Sequence, residues 1–330
     1  MSDEVLVTRD GGLGRLTLNR PQALHALTTG MCQALTAALL AWRDDPAVQA
    51  VLVDHSGERG FCAGGDIRML ADSGAGDGAA AREFFFIEYR LNHLLFTYPK
   101  PVIAVMDGIT MGGGVGLSAP ARFRIATERT TFAMPETGIG LWLALTGARI
   151  KAADCLHAGL ATHYIPSDRL PELNVALASS PGEIEALLEK HQADPGPAPV
   201  AAHRETLDAA FGMGSVEAIL AALETGSDWA RAQAEALRTK SPQTLKVAFR
   251  QLALGAAAPD FAANMEMEYR IGARVVQRHD FLEGVRAVIV DKDNAPRWNP
   301  ARLEDVGEDL LDAIFAPLPA SEAWTPLPGL

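Results

Sequence analysis

The chain has 330 residues, of which 48% are hydrophobic and 21% are charged, so it can bury a sizeable core and is too apolar for intrinsic disorder. Its formal net charge of −12 argues against general binding to nucleic acids or to anionic membranes. No apolar run reaches the ~20 residues that are needed to span a bilayer.

The N-terminal residues, the cysteines and the histidines indicate where the protein acts and whether it binds a metal. The N-terminus is acidic and leads directly into a strand-like pattern, without the basic and apolar regions of a targeting peptide. Cys32, Cys62 and Cys155 are odd in number and lack C-x-x-C spacing, and the eight histidines lack H-x-x-x-H spacing. We therefore expect a cytoplasmic protein with reduced thiols and no metal site.

The first ~140 residues alternate short buried strands with helices, which is an α/β pattern. In chain order the predicted elements are a hairpin over 5–7 and 16–18, a helix over 28–42 capped by Thr28 or Thr29, a strand over 50–53, a glycine-rich turn over 57–65, a loop over 72–78, a helix over 80–96, a strand over 101–105, a helix entry at 112–114 and strands over 123–126 and 131–133. From about residue 141 helical periodicity dominates. We expect an α/β core over 1–192, a helical region over 193–315 entered through a proline-rich linker, and a proline-rich surface tail over 316–330.

Two glycine-rich segments each follow a buried strand and open a helix: residues 61–67 (FCAGGDI) and 108–118 (GITMGGGVGLS). Such junctions leave backbone N–H groups unpaired, and glycine lets a ligand approach them closely. Two of these groups can converge on one carbonyl oxygen and form an oxyanion hole. Glycine turns are also common packing devices, and neither the Rossmann nor the P-loop spacing is matched.

A third segment, residues 132–140 (FAMPETGIG), contains Glu136. A lone glutamate in a turn is usually a solvated surface residue. Beside an oxyanion hole, however, a carboxylate can activate water as a general base or attack an acyl carbon itself to form an anhydride. The sequence does not choose between these two routes.

These three segments, in this order and separation, resemble the enoyl-CoA hydratase/isomerase (crotonase) superfamily. Residues 19–24 (NRPQAL), 241–247, 280–287 and 291–298 are similar to its 3-hydroxyisobutyryl-CoA hydrolase branch, and the resemblance spans about residues 5–306. It implies a crotonase-like ββα spiral core with a mainly helical C-terminal region. It also implies hydrolysis of 3-hydroxyisobutyryl-CoA, or of a close β-hydroxyacyl-CoA, in valine degradation. Coenzyme A enters only as part of the substrate, no cofactor is implied, and a homo-oligomer is left open.

The resemblance also assigns roles to individual residues. It places the oxyanion N–H groups at Gly65 and Gly113 and the catalytic carboxylate at Glu136. Glu88 matches a substrate-contacting glutamate, although the sequence alone would make it a solvated helix residue. The remaining substrate-binding positions, most of which hold the coenzyme A arm through backbone groups, correspond to Leu24, Ala26, Ala63, Gly64, Asp66 and Gly112.

Two further features bear on the reaction and on the ligand. Hydratases of this superfamily use a pair of glutamates, the first just after the second glycine turn, where this chain has Gly116. Gly116 offers neither acid nor base, which disfavours the alternative of an enoyl-CoA hydratase or isomerase. Four cations lie near where relatives bind the coenzyme A phosphates, or are simply solvated: Lys246, Arg250, Lys292 and Arg297.

The chain departs from the hydrolase branch after Gly140, where roughly twenty residues are absent, too many for ordinary loop variation. The sequence passes directly to residues 141–147 (LWLALTG). The absent stretch includes the family's second catalytic acid, an aspartate. Either the segment is deleted, which would leave a catalytically impaired acyl-CoA-binding homologue, or a mobile active-site segment is missing from the sequence. The intact flanking motifs favour the second explanation.

Overall fold

The computed structural model describes residues 3–133 and 140–329. Its strands are β1 Val5–Asp10, β2 Leu13–Leu18, β3 Ala50–His55, β4 Gly60–Cys62, β5 Val102–Met106, β6 Ile109–Met111, β7 Phe123–Ala126, β8 Thr131–Ala133 and β9 His163–Tyr164. Its helices are α1 Thr29–Arg43, α2 Ile67–Gly74, α3 Ala79–Phe96, α4 Gly113–Ser118, α5 Gly140–Thr146, α6 Ala152–His157, α7 Leu170–Ser179, α8 Ile184–His191, α9 Arg204–Phe211, α10 Val216–Glu224, α11 Asp228–Arg238, α12 Pro242–Ala256, α13 Phe261–Val275, α14 His279–Val285 and α15 Glu308–Phe315.

The strands form two sheets between which the chain alternates. Within the described residues, one sheet has the order β1-β2-β3-β5-β7-β9 and the other the order β4-β6-β8. Strands β1 and β2 are antiparallel, as the predicted hairpin requires, and every later pairing is parallel. Each turn of the chain therefore adds one strand to each sheet, and this is the predicted spiral of ββα units.

The larger sheet is buried on both faces. Along β3, Val51 and Val53 pack into the cluster formed with α1 and α3, whereas Leu52 packs into the cluster formed with α7 and α8. Because side chains alternate along a strand, a strand covered on both faces needs an unbroken apolar run, which residues 50–53 provide.

Most of the predicted elements in the first half are confirmed. The helix after the hairpin is capped by Thr28, whose hydroxyl accepts a hydrogen bond from the Met31 N–H at 3.1 Å. Three details differ. Helix α2, whose first turn is capped by the Asp66 side chain, continues to Gly74, so the predicted loop begins later. Strands β4 and β6 were not predicted: β4 lies inside the predicted turn over 57–65, and three residues are too few to show a periodicity.

The C-terminal segment differs from the free surface tail that its prolines predict. Trp324 is only 3% exposed and lies beside Tyr269 of α13. Its indole N–H donates to the Phe86 carbonyl of α3 at 3.1 Å, and Arg90 donates to the Thr325 carbonyl at 2.7 Å. The segment is therefore docked on α3. The boundaries of the three predicted regions stay a prediction.

No helix in the described part of the chain combines the length and the apolar character that crossing a membrane requires.

Replacing Trp324 by alanine should destabilise the protein by about 3 kcal/mol, because it removes a large buried ring and leaves a cavity. Trp324→Phe keeps most of the apolar contact and loses the indole donor, so about 1 kcal/mol is expected. Urea unfolding measures both, with the exposed Ser321→Ala as the control. Equal stability of Trp324→Ala and Ser321→Ala would contradict the docked position of the segment.

Candidate active site

The first glycine turn is held by backbone hydrogen bonds to a segment that follows the hairpin. The Ala63 N–H donates to the Leu24 carbonyl at 3.0 Å, and the Leu27 N–H donates to the Gly64 carbonyl at 2.7 Å. The Asp66 N–H then donates to the Leu27 carbonyl at 3.0 Å. Four of these five residues, all but Leu27, are positions that the resemblance assigned to substrate binding, and the structure brings them together.

The same segment contains two consecutive left-handed residues that are not glycine. Leu24 has φ 50° and His25 has φ 55°. The His25 ring accepts a hydrogen bond from the Arg20 N–H at 2.9 Å, and the Cys62 thiol donates to the His25 carbonyl at 3.2 Å. Burial, followed by the neighbouring His55, lowers the pKa of His25 to about 4, so the ring is neutral and can accept. Such outliers persist where the surroundings hold them in place, commonly at functional sites.

Asp66 has a structural task. Its carboxylate caps α2 by accepting from the Arg68 and Met69 N–H groups, and it accepts from the Arg20 guanidinium at 2.8 Å. Burial alone would raise the pKa of Asp66, but these hydrogen bonds hold it below the usual range. Arg20 also donates to the Ala26 carbonyl at 2.9 Å. It therefore links the segment after the hairpin to Asp66 in the first glycine turn.

The two glycine turns are in direct backbone contact. A methyl group added to Gly64, which has φ +112°, would lie 3.4 Å from the Gly112 Cα and 3.5 Å from the Gly113 nitrogen. One added to Gly112, which has φ +51°, would lie 3.0 Å from the Gly64 Cα. Both positions therefore need glycine for conformation and for space.

The predicted oxyanion donors lie on either side of this contact. Among the residues that the structure describes, neither the Gly65 N–H nor the Gly113 N–H has a hydrogen-bond partner. Two unpaired donors on adjoining turns are what an oxyanion hole requires. The proposed catalytic carboxylate, Glu136, lies outside the described residues.

Glu88 is buried rather than solvated as the sequence alone suggested, with 4% of its surface exposed. A methyl group added to Gly113 would lie 2.3 Å from its Oε1, so the carboxyl group lies directly against the second turn. Burial raises the pKa of Glu88 to about 8, and the carboxyl group of Glu268 adds to the shift. At neutral pH the group is therefore mainly protonated and can donate a hydrogen bond.

Gly116 packs against the Asn92 side chain of α3. A methyl group added there would lie 2.7 Å from the Asn92 side-chain nitrogen and 3.0 Å from its oxygen. A glutamate at this position would displace Asn92, so the space for the first hydratase glutamate is taken.

The four cations from the sequence analysis divide into two groups. Lys246 forms an ion pair with Glu217 at 2.7 Å, and Arg250 forms one with Asp312 at 2.7 Å. Both cations therefore have acidic partners within the helical region. Lys292 and Arg297 are instead exposed. Lys292 lines a cavity of about 390 Å³ together with Arg68, which sequence reasoning missed.

Replacing Glu88 by glutamine should remove a pH-dependent part of the stability. Because the pKa of Glu88 in the folded state is about 8 against an ordinary 4.5, its contribution is complete below about pH 4.5 and is lost as the pH rises through about 8. Glutamine mimics the neutral acid, so the fall between these values, on the order of a few kcal/mol, should be absent in Glu88→Gln. Urea unfolding of both proteins at several pH values measures the difference, and parallel pH dependences would contradict the protonated Glu88.

The chain matches a known protein family and several curated proteins. The model of the enoyl-CoA hydratase/isomerase family matches residues 13–142 and 138–315, and its two segments meet where the sequence analysis located the absent stretch. The chain is 42% identical over 344 positions to the mitochondrial 3-hydroxyisobutyryl-CoA hydrolase of Gallus gallus, covering 96% of this chain and 89% of that protein. It is 37% identical to the Homo sapiens protein of the same name, covering 97% and 90%.

Solved structures share the fold over almost the whole chain. A carnitinyl-CoA dehydratase from Mycobacterium thermoresistibile superimposes with a TM-score of 0.92 at 38% identity, covering 97% of this chain and 98% of that chain. An enoyl-CoA hydratase from Rhodobacter sphaeroides superimposes with a TM-score of 0.89 at 37% identity, covering 98% and 100%. The predicted crotonase-like spiral is thereby confirmed.

The prediction of a cytoplasmic location is wrong by this comparison, because these curated relatives are named as mitochondrial enzymes. It depended on the absence of a targeting pattern at the N-terminus, which is a weak basis for a location.

The match of the family model and the identity to curated relatives over nearly the full length lead to one assignment. The chain belongs to the enoyl-CoA hydratase/isomerase family and, within it, to the 3-hydroxyisobutyryl-CoA hydrolase branch.

Proposed function

We propose that this protein hydrolyses the thioester of 3-hydroxyisobutyryl-CoA, or of a close β-hydroxyacyl-CoA, to the free acid and coenzyme A, as a step of valine breakdown. The observation that carries the proposal is the pair of unpaired N–H groups on Gly65 and Gly113, on two turns in backbone contact. The names of the curated relatives supply the substrate. The reaction uses no metal and no redox group.

In the proposed mechanism the thioester carbonyl oxygen accepts hydrogen bonds from Gly65 and Gly113. This draws electron density from the carbonyl carbon and stabilises the negative charge that forms on the oxygen. Either water, deprotonated by Glu136, or the Glu136 carboxylate itself adds to the carbon. The carbon–sulfur bond then breaks with its electron pair on sulfur, and the coenzyme A thiolate takes up a proton. The first route gives the free acid directly, whereas the second leaves an acyl anhydride on Glu136, which water then opens.

Hydration of an enoyl-CoA is the second candidate, because the two structural relatives are named as a dehydratase and a hydratase. Adding water across a double bond needs a base that takes a proton from water and an acid that protonates the neighbouring carbon. The position of the first glutamate is Gly116, and Asn92 fills the space beside it. This favours hydrolysis over hydration.

The cavity beside α2 suits the phosphates of coenzyme A. Arg68 and Lys292 both reach it and both are exposed, and neither forms an ion pair within the described residues. Arg68 is three positions after Gly65, so the cavity adjoins the oxyanion turn along the chain. Asp72 also lines the cavity, so the two cations leave it with a net positive charge, which gives an otherwise acidic protein a local site for a polyanion.

Replacing Glu136 by glutamine should lower kcat for thiol release from 3-hydroxyisobutyryl-CoA by at least about a hundredfold, because the amide can neither deprotonate water nor attack carbon. A thiol-reactive dye measures the release, and loss of the conjugated-enoyl absorbance of crotonyl-CoA measures hydration in parallel. The exposed Glu172→Gln is the matched control.

Each outcome of that experiment has a defined meaning. Thiol release by the unaltered protein, reduced in Glu136→Gln and unchanged in Glu172→Gln, supports the proposal. Binding of the thioester without release indicates a catalytically impaired acyl-CoA binder and rejects it, as does faster hydration than hydrolysis. Undiminished release by Glu136→Gln removes Glu136 from the mechanism.

Replacing both Arg68 and Lys292 by alanine should raise KM for the coenzyme A thioester about tenfold or more, since each 1.4 kcal/mol of lost binding is tenfold. The pantetheine thioester of the same acid lacks the nucleotide phosphates, so its KM should not change. The control is Lys190→Ala, an exposed cation remote from the cavity in sequence. Equal effects on the two thioesters would contradict a phosphate site at this cavity.

A further inference from the structure

Helix α3 directs two buried polar side chains toward helix α4. Glu88 and Asn92 are four residues apart, so they lie on the same face of α3, one turn from each other. Their contacts on α4 are Gly113 and Gly116, which are three residues apart and also share one helix face. Glu88 therefore lies against the start of α4, where the thioester carbonyl is bound in the proposed mechanism, and Asn92 lies against the next turn.

The amide group of Asn92 occupies the space that a side chain at Gly116 would take. A methyl group added to Gly116 would lie 2.7 Å from the Asn92 Nδ2 and 3.0 Å from its Oδ1. Asn92 is 5% exposed, and its Oδ1 has no hydrogen-bond partner among the residues that the structure describes. Buried polar atoms are nearly always hydrogen-bonded, because an unpaired one loses its bonds to water and gains none in return. Such an oxygen therefore indicates a place where a ligand group completes the hydrogen bond.

The distance from the oxyanion donors suits a short acyl group. Each residue of an α-helix rises about 1.5 Å, so Gly116 lies about 4.5 Å further along α4 than Gly113. In a β-hydroxyacyl thioester the hydroxyl oxygen is three bonds of about 1.5 Å from the carbonyl carbon, so it reaches about 4 Å from that carbon. An acyl chain that is held at Gly65 and Gly113 and runs along α4 therefore brings its β-hydroxyl group to the Asn92 amide.

The chemistry of an amide suits a hydroxyl group that must be recognised and retained. A hydroxyl group donates as well as accepts hydrogen bonds, and the Asn92 Oδ1 is an acceptor. An amide neither takes up nor releases a proton near neutral pH, so it does not help the hydroxyl group to leave as water. A carboxylic acid in the same place could protonate the departing hydroxyl group, which an amide cannot do.

We propose that Asn92 is the residue that selects β-hydroxyacyl groups: its Oδ1 accepts a hydrogen bond from the β-hydroxyl group of the acyl chain whose carbonyl oxygen is bound by the Gly65 and Gly113 N–H groups. An acyl chain without the hydroxyl group leaves Oδ1 unpaired and is therefore bound more weakly. This selection rests on the proposed function, for which it supplies the preference for hydroxylated acyl groups.

Two ligands that differ only in the hydroxyl group test the proposal by binding. They are the ketone analogues of 3-hydroxyisobutyryl-CoA and of isobutyryl-CoA, in which a methylene group replaces the thioester sulfur, so that neither can be hydrolysed. Calorimetry on the unaltered protein should give a Kd for the hydroxylated ketone that is lower by about tenfold or more, because a hydrogen bond to a buried oxygen contributes about that factor. Equal Kd values for the two ketones overturn the proposal.

Asn92→Leu keeps the approximate size of the side chain and removes the amide. The ratio of the two Kd values should fall to near one, and an unchanged ratio overturns the proposal. The midpoint of urea unfolding should stay the same or rise, because an apolar group replaces an unpaired buried oxygen. Asn92→Asp keeps an acceptor oxygen in the same place and should retain the preference for the hydroxylated ketone.

Asn174→Leu is the matched control. The Oδ1 of Asn174 is also buried without a partner within the described residues, but Asn174 belongs to α7, which covers the other face of the larger sheet. This variant should bind the two ketones with the ratio of the unaltered protein. A loss of the preference in Asn174→Leu equal to that in Asn92→Leu would contradict a specific role of Asn92.

The ratio of kcat/KM for thiol release from 3-hydroxyisobutyryl-CoA and from isobutyryl-CoA is the second readout. In Asn92→Leu it should fall by the same factor as the binding ratio, through slower release from the hydroxylated thioester. A merely structural role of Asn92 would lower the urea midpoint and slow both reactions equally, which overturns the proposal.

The binding and activity measurements separate this proposal from the proposed function. Binding of the thioesters without thiol release by the unaltered protein rejects the hydrolysis, and the two ketones still decide the role of Asn92. If Asn92→Leu fails to fold, Asn92→Ala takes its place with the same expected loss of preference, and a retained preference is equally decisive.

Discussion

The backbone contact between Gly64 and Gly112 is the constraint on which the site depends. Strands β4 and β6 pair in parallel immediately before the two turns, with Cys62 opposite Thr110. Parallel strands bring their carboxyl ends to one edge of a sheet, so the chain leaves both strands at the same place. A side chain at either glycine would push the two turns apart, and with them Gly65 and Gly113, which follow these glycines in the chain.

Burial of the ionisable groups around this contact follows from the same architecture. The α1 and α3 helices cover the sheet, and the side chains that they direct toward the turns lose access to water. The charged form of each group is then disfavoured, which raises the pKa of Glu88 and of Cys62 and lowers that of His25. Glu88, Cys62 and His25 are therefore neutral near the two glycine turns, whereas the Asp66 carboxylate, which pairs with Arg20, stays ionised.

Much of the fold can be predicted from the sequence, because periodicity and caps are local signals. Residues 50–53 predict a doubly covered strand and Thr28 predicts a helix start, and both are confirmed. The positions of the two glycine turns follow equally from the order of strand, glycine and helix. The burial of Glu88 and the occupation of the space at Gly116 by Asn92 are products of helix packing between distant parts of the chain. No spacing in the sequence carries that information.

The absent stretch after Gly140 raises the question of which acid protonates the departing thiolate. The alignment with the Gallus gallus hydrolase runs over 344 positions, more than this chain contains, so the relative carries residues that this sequence lacks. The resemblance locates a second acid there. An alkyl thiol has a pKa of about 8.5, so a departing thiolate takes a proton most readily from an acid of similar pKa. Within the described residues Glu88, with a pKa of about 8 and its carboxyl group against Gly113, meets that requirement at the site. A carboxyl group of similar pKa therefore lies beside Gly113 in the described part of the chain.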